Sequence, residues 1–183
     1  MRIVAGTAKG RALVGPKDTS KHIRPTADRV RETIFNILGQ VFEGESVLDL
    51  YAGTGALALE SLSRGAARAV LVDQDREALA LCRTNAEALG FLDRVEILAQ
   101  PVGRTAMTLR GRAFDLVFAD PPYASRMVAS VLELVEAGAL LAAGGVLIVE
   151  HDKREEAPEA LGAFTRTDQR KFGDTLVSFF RIA

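Results

Sequence analysis

The sequence predicts a doubly wound α/β fold, with a mostly parallel sheet of seven strands and a small N-terminal extension of a β-hairpin and a helix. From residue 46 onward, apolar runs of strand length alternate with amphipathic segments of helix length, which is typical of parallel strands covered on both faces. A glycine-containing turn follows the first apolar run, as expected where a strand leads directly into a helix. The length of 183 residues and the 48% share of hydrophobic residues suit a chain with one substantial core.

Short β-prone runs at 2–5 and 11–14, separated by Gly6 and Gly10, predict an N-terminal hairpin-like element. Thr26 is the expected cap of the first long helix, which should end near Gly39 or Gly44. Its apolar face is expected to consist of Val30, Ile34, Ile37, Leu38 and Val41. We therefore divide the chain into a basic N-terminal arm, 1–25, and a main domain, 26–183.

The main domain should contain five parallel strands and a C-terminal antiparallel hairpin. The parallel strands are predicted at 47–51, 67–73, 95–98, 113–120 and 144–151, and the hairpin strands at 163–169 and 175–182. Helices are predicted at 56–65, 76–90 and 127–141, with a short helix or loop at 101–112. The sixth and seventh strands then close one edge of the sheet.

Composition excludes several classes of protein. The single cysteine, Cys82, cannot form an internal disulfide, and it falls in an apolar helical pattern typical of a core thiol. No Cys/His group has metal-ligand spacing, no apolar run is long enough to cross a membrane, and the N-terminus lacks a secretory signal. We expect a soluble, cytoplasmic, metal-free monomer.

Charge is distributed unevenly along the chain. Residues 1–40 contain eight Lys/Arg and three Asp/Glu, a balance of +5, whereas the remainder has a balance of −6. A basic arm on an acidic body is a common feature of nucleic-acid-binding proteins, although a solvated charged face has the same composition.

The glycine-containing turn predicts a ligand site at the carboxyl edge of the sheet. Gly53 and Gly55 allow a ligand to approach the backbone at the start of a helix. Asp73, at the end of the second strand, is placed to accept the hydroxyls of an adenosine ribose. These features suit either a nicotinamide cofactor or S-adenosyl-L-methionine (SAM). Asp49, inside an apolar strand, favours SAM because a buried carboxylate needs a partner such as the loop backbone or the ammonium of a methionine group.

Asp120, Pro121, Pro122 and Tyr123 follow the fourth strand and predict the reaction centre. Two prolines stiffen the loop and leave carbonyl oxygens available. The carboxylate and a carbonyl can accept both hydrogens of an exocyclic amine, while the tyrosine offers a face on which a flipped base stacks. This combination suits methyl transfer to an amino group. After the third strand, Gln100 could read the cofactor adenine, although Pro101 lacks an N–H.

These motifs together resemble a known family. VLDLYAGTGALALESLSRGA and FDLVFADPPY are similar to class I SAM-dependent methyltransferases that act on amino groups. RIVAGTAKGRAL, RPTADRVRETIFNIL and KFGDTLVSFFRI resemble the bacterial 16S ribosomal RNA guanine-N2 methyltransferase family, RsmD, over essentially the whole chain.

The resemblance implies a Rossmann-like methyltransferase that uses SAM to methylate a guanine of 16S rRNA, in a small ribosomal subunit or an assembly intermediate. It implies that the target amine is held by the residues from Asp120 to Tyr123. The implied cofactor residues are Arg24, Thr26, Asp49, Tyr51, Ala52, Gly53, Thr54, Gly55 and Asp73. From their positions after the second and third strands we also expect Gln74, Gln100 and Pro101 at the cofactor, although Gln100-Pro101 departs from the family, whose members often have a small residue with a free N–H there. The implied RNA-contacting residues are Arg2, Lys9, Arg11, Arg24, Arg29 and Arg31.

Other functions remain open on the residues alone. An adenine-N6 methyltransferase would use the same Asp-Pro-Pro-Tyr chemistry, but so short a chain leaves little room for a target-recognition domain. A nicotinamide oxidoreductase fits the glycine turn but leaves that motif and the basic arm unexplained. Methylation of a protein glutamine usually requires Asn at position 120, and a non-catalytic RNA-binding module needs no such motif.

Overall fold

The computed structural model describes residues 1–16, 28–122 and 126–182, and these form one eight-stranded sheet with helices on both faces. The strands are β1 Ser46–Leu50, β2 Arg68–Asp73, β3 Val95–Ala99, β4 Phe114–Ala119, β5 Leu141–Asp152, β6 Ala160–Leu161, β7 Phe164–Phe172 and β8 Thr175–Ile182. Their order is β3-β2-β1-β4-β5-β8-β7-β6. Strands β1 to β5 are parallel, while β8, β7 and β6 add in antiparallel pairs.

The helices are α1 Asp28–Leu38, α2 Ala56–Ser63, α3 Arg76–Leu89, α4 Thr105–Thr108 and α5 Met127–Ala137, with 3-10 turns at Leu92–Arg94 and Val102–Arg104. Buried residues of α1, α2 and α3 form one core cluster with one face of the sheet. The buried face of α5 packs on the other face. None of the described helices is long and apolar enough to span a membrane.

The N-terminal segment is packed onto α2. Its two arms meet at an antiparallel bridge between Arg2 and Ala12. Ile3, Ala8 and Leu13 are buried in the same core cluster as α1 and α2. This segment therefore shares its apolar interior with the rest of the fold.

Glu60 of α2 connects this segment to the helix through a fully buried carboxylate. The backbone N–H groups of Val4 and Ala5 donate to its two oxygens at 2.8 and 3.0 Å. Arg64, one helical turn later, forms an ion pair with it at 2.8 Å and places its guanidinium over the ring of Phe35. Both lone-pair-bearing oxygens thus have strong donors, which is the condition for burying a charge in a stable fold.

The predicted fold class is confirmed, and the differences are local. The structure adds the two-residue strand β6 at the edge, so the sheet has eight strands where seven were predicted. Helix α1 ends at Leu38, ahead of Gly39, whose φ is +109°. Val41 is therefore outside the helix and 74% exposed, so its assignment to the apolar face was wrong. The predicted cap, Thr26, lies outside the described residues.

Candidate active site

A cleft opens at the carboxyl ends of β1 and β4, where ligands bind in doubly wound sheets. The cleft opens to solvent, and the space in and in front of it, open solvent included, is about 320 Å³. The residues around it are Asp49, Tyr51, Ala52, Gly53, Thr54, Ala56, Leu57 and Asp120. Six of the predicted site residues therefore meet at one cleft. Ala56 and Leu57 were missed, although as the first turn of α2 they necessarily follow the glycine loop.

The loop between β1 and α2 has an unusual backbone. Tyr51, Gly53 and Gly55 have φ angles of +62°, +56° and +77°, a region in which side chains other than glycine are strained. At Gly55 a Cβ atom would also lie only 2.9 Å from Leu71 Cδ2. A larger residue at position 55 would therefore be strained by the positive φ and would require the Leu71 side chain to shift.

Asp73, at the end of the neighbouring strand β2, forms a hydrogen bond with the loop between β1 and α2. Its Oδ2 accepts a hydrogen bond from Gly53 N–H at 3.0 Å, and its Oδ1 accepts one from Asp75 N–H at 2.9 Å. Asp75 in turn caps α3 by accepting from the N–H groups of Glu77 and Ala78. Gln74 lies between the two aspartates and is exposed.

Asp49 is buried beneath the loop with little polar compensation. It is 3% exposed, and its Oδ2 accepts one hydrogen bond, of 3.3 Å, from Ala58 N–H in the first turn of α2. Burial raises the pKa of Asp49 to about 8; the Ala58 hydrogen bond opposes the rise, and the charge of Asp73 adds to it. A cation bound in the cleft would stabilise the ionised form of this carboxylate.

Two residues of α3 contact the loop from below. The Cys82 thiol is fully buried and donates to the Gly53 carbonyl at 3.3 Å, and burial raises its pKa. Asn85 donates to the Thr54 carbonyl at 3.0 Å, while its oxygen accepts from Val14 N–H at 2.7 Å. Asn85 was missed; the one available signal was an amide on the apolar side of a helix.

Asp120 follows β4 directly and lines the cleft opposite the glycine loop, half-buried. Pro121 is buried and Pro122 is exposed. Their rings restrict the backbone dihedrals, so the loop is stiff where it leaves the sheet. Tyr123 lies outside the described residues.

Gln100 lies after β3, next to Asp73. Its backbone N–H donates to the Asp73 carbonyl at 3.0 Å, and its side-chain oxygen accepts from Thr108 Oγ1 at 3.0 Å. Its Nε2 is buried and has no hydrogen-bond partner in the described part of the chain. A buried donor of this kind is costly unless a ligand supplies an acceptor. Pro101, the next residue, is exposed.

The basic residues of the N-terminal part divide into two groups. Arg2, Lys9, Arg11 and Arg29 are exposed, and the Arg11 guanidinium donates to the Ala88 carbonyl. Arg31 is fully buried: its guanidinium donates to the Arg2 carbonyl at 2.6 Å and to Asp28 at 2.8 Å. A guanidinium enclosed in this way cannot reach a phosphate, so the expectation that Arg31 contacts RNA was wrong. Arg24, together with Pro25 and Thr26, lies outside the described residues.

Within the described ranges, no three His, Cys, Asp or Glu residues are grouped to hold a metal ion. The polar side chains that line the cleft are the carboxylates of Asp49 and Asp120 and the hydroxyls of Tyr51 and Thr54. This donor set suits an organic ligand that carries both positive charge and hydroxyl groups.

Comparisons with known proteins identify relatives along nearly the whole chain. A family model described as "Conserved hypothetical protein 95" matches residues 1–181. "Putative rRNA methyltransferase YlbH" of Bacillus subtilis is 34% identical over 99% of this chain and 98% of its own length. "Ribosomal RNA small subunit methyltransferase D" of Escherichia coli is 37% identical over 86% of this chain and 78% of its own.

Solved structures give the same result for the fold. The structure of "Putative methyltransferase yhhF" from Escherichia coli superposes with a TM-score of 0.86 at 29% identity, covering 100% of this chain and 97% of that one. Together these matches confirm the family resemblance expected from the sequence motifs.

Proposed function

The chain belongs to the family described as Conserved hypothetical protein 95, and on that premise we propose that it transfers a methyl group from SAM to ribosomal RNA. We propose further that the acceptor is the exocyclic N2 of a guanine in the 16S RNA of the small subunit. The observation that carries the proposal is that Asp120, with two prolines behind it, shares one cleft with Asp49 and the glycine loop.

The cleft residues fit SAM. SAM, when bound, supplies a methyl group on a positively charged sulfur. Asp49 would hold the cationic methionine end, because its carboxylate is buried and, within the described residues, accepts only the 3.3 Å hydrogen bond from Ala58 N–H. Asp73 would accept the ribose hydroxyls with its remaining lone pairs, and the buried Nε2 of Gln100 would donate to the adenine. Tyr51, Ala52, Thr54 and Gly55 would shape the loop around it, with Gln74, Pro101, Arg24 and Thr26 as further predicted contacts.

Asp120 and the carbonyl of Pro121 would orient the acceptor amine. Accepting its two N–H hydrogens moves the nitrogen lone pair out of conjugation with the base and toward the methyl group. Held in this way, N2 would be oriented to attack the methyl group that SAM supplies, and Asp120 would accept the proton that N2 loses. Tyr123 would stack on the extruded base. Most of the rate gain would come from positioning, since the leaving group is already good.

RNA would bind along the N-terminal arm, residues 1–25, and the start of α1. Arg2, Lys9, Arg11 and Arg29 are exposed there and would contact backbone phosphates, together with Arg24. We expect the substrate to be an assembling or finished small subunit. We also expect the protein to be a monomer in the cytoplasm.

The test is transfer of labelled methyl from SAM into small ribosomal subunits that lack the modification, with naked rRNA and DNA alongside. We expect N2-methylguanosine in the rRNA, identified by mass spectrometry. N6-methyladenine would replace the proposed target, and no transfer to nucleic acid would overturn the proposal. A thermal-shift comparison of SAM with NAD separates it from the oxidoreductase alternative, because a ligand that binds the native state stabilises it.

The role of Asp120 has its own test. Asp120→Ala should abolish methyl transfer and leave the thermal shift caused by SAM nearly unchanged, because the residue is assigned to the acceptor. Near-normal transfer by this variant would contradict the assignment.

A further inference from the structure

Strand register places a row of polar side chains across the carboxyl edge of the sheet. Leu50 pairs with Val72 of β2 and with Ala119 of β4, and Ala119 pairs with Val149 of β5. The residues that follow these four are Asp73, Tyr51, Asp120 and Glu150. Because side chains alternate along a strand, Asp73, Asp120 and Glu150 project from the face opposite to Val72, Ala119 and Val149, which belong to the second core cluster. Tyr51, with a φ of +62°, departs from this alternation and packs against that second cluster. Glu150 is therefore the neighbour of Asp120 on the side away from the glycine loop.

The surroundings of Glu150 are mostly apolar. One row deeper on the same face lies Ile148, and across the antiparallel pairing with β8 lies Val177; both are buried in the first core cluster. Glu150 itself is half-buried, and its Oε2 is buried with no hydrogen-bond partner among the described residues. Burial raises the pKa of Glu150 to about 7. A carboxyl oxygen of this kind is costly unless a ligand donates to it.

The Watson–Crick edge of guanine carries two adjacent donors, the N1–H and the N2 amino group, whereas adenine has an acceptor at N1. Asp120 is assigned above to the N2 amine, so the next carboxylate in the row lies on the N1 side or on the opposite side of that amine. On the N1 side, guanine presents a donor, the N1–H, which needs an acceptor from the protein. Resting on the function proposed above, we propose that Glu150 accepts the N1–H of the target guanine and thereby selects guanine over adenine.

The Asp-Pro-Pro-Tyr loop alone does not determine which purine is methylated. Asp120 and the Pro121 carbonyl recognise an amino group, which both purines have. An ionised Glu150 facing adenine would meet the N1 lone pair, and two acceptors would repel each other. A site that requires a donor strongly rejects an analogue lacking it, because its buried acceptor is left unpaired.

The test uses 2-aminopurine, which keeps the amino group at C2 but has neither a hydrogen on N1 nor an oxygen at C6, so the Glu150 variant is what assigns the effect to N1. Small subunits are reconstituted with 16S RNA carrying either guanine or 2-aminopurine at the position that the wild-type protein modifies. We expect wild-type kcat/KM to fall about 10- to 100-fold on the 2-aminopurine RNA, the range for losing one specific base contact. Glu150→Gln should lower guanine methylation and shift the guanine-to-2-aminopurine ratio at least tenfold toward 2-aminopurine, because its amide can donate to N1.

Glu156→Gln is the matched control, since Glu156 is exposed in the segment after β5, and it should keep the wild-type ratio. Equal loss on both RNAs by Glu150→Gln, or no change in the ratio, would overturn the role of Glu150 while leaving the proposed function intact. Methylation of adenine in place of guanine by the wild-type protein would overturn both.

Discussion

Two buried carboxylates on the same side of the sheet, Glu60 and Asp49, differ in how fully the protein satisfies them. Glu60 accepts two backbone N–H groups and pairs with Arg64, all within 3.0 Å. Asp49 accepts one N–H at 3.3 Å, and the charge of Asp73 raises its pKa further. Among the described residues, both oxygens of Glu60 have protein donors, whereas Asp49 is the carboxylate to which we assign a ligand. Saturated polar groups therefore indicate structure, and undersatisfied ones indicate the site.

The largest effect is expected at Glu60. Glu60→Ala leaves the Arg64 charge and two backbone N–H groups unpaired, so we expect a loss of about 3–5 kcal/mol in the free energy of unfolding. Denaturant melts would measure it, with Glu133→Ala, on the exposed face of α5, as the control. Glu60→Gln keeps an acceptor and should lose less. Equal stability of Glu60→Ala and Glu133→Ala would show that the junction contributes nothing.

The contact between the N-terminal segment and α2 can also be tested through the backbone at Gly6. Gly6 and Gly10 both have φ near +80°, so alanine should cost about 1–2 kcal/mol at either position. At Gly6 alone, the added Cβ would overlap the Ser63 carbonyl oxygen, at 1.8 Å, whereas nothing lies within 4 Å at Gly10. We expect Gly6→Ala to lose a further ~1–3 kcal/mol in unfolding free energy. Equal losses would mean that the segment does not depend on this close approach.

A smaller, pH-dependent effect is expected at Asp49. Its native pKa of about 8 lies above the ordinary value of 3.8, so the native state binds this proton more tightly than the unfolded chain. The associated stability is present below pH 4 and is lost as pH rises to 8. Without ligand, the Tm of Asp49→Asn relative to wild type should therefore increase from pH 5 to pH 8.

SAM should reverse this pH dependence of the Tm difference between Asp49→Asn and wild type if the methionine end lies beside Asp49. A bound cation favours the ionised carboxylate, so the Tm increase that SAM gives the wild-type protein should be larger at pH 8 than at pH 6. Asp49→Asn should lose most of that increase. Asp93→Asn, an exposed aspartate before β3, is the control. A SAM response that is independent of pH and unchanged in Asp49→Asn would place the cation elsewhere.

The parts of the fold and of the site that could be predicted from the sequence are those that depend on local pattern. Apolar strands and the glycine turn depend on local pattern, so the sheet and the cleft residues from Asp49 to Gly55 could be anticipated. Glu60 could not, because the residues that satisfy it lie 55 and 56 positions away along the chain. Glu150 was missed for the same reason: only strand register brings it beside Asp120.

Arg31 was a different kind of error. It was counted with the basic arm because charge patterning gives composition and not direction. Arg31 is three and four residues before Ile34 and Phe35, both buried, and this spacing places all three on one face of α1. Helical periodicity therefore contained the correct signal, and the charge balance outweighed it.

The smallest predicted effect concerns the difference between the buried Arg31 and the exposed basic residues. If exposed basic residues contact RNA phosphates, Lys9→Ala and Arg29→Ala should each reduce the slope of log Kd against log salt by about 0.7, the value for one contact to a single strand. Lys171→Ala, at an exposed position of β7, the strand next to the edge strand β6, should leave the slope unchanged. Arg31→Met should lower the Tm, since it removes the bonds to Arg2 and Asp28, without changing the slope. A reduced slope in the Arg31 variant, with wild-type slopes at Lys9 and Arg29, would mean that the RNA surface lies elsewhere and that α1 rearranges on binding.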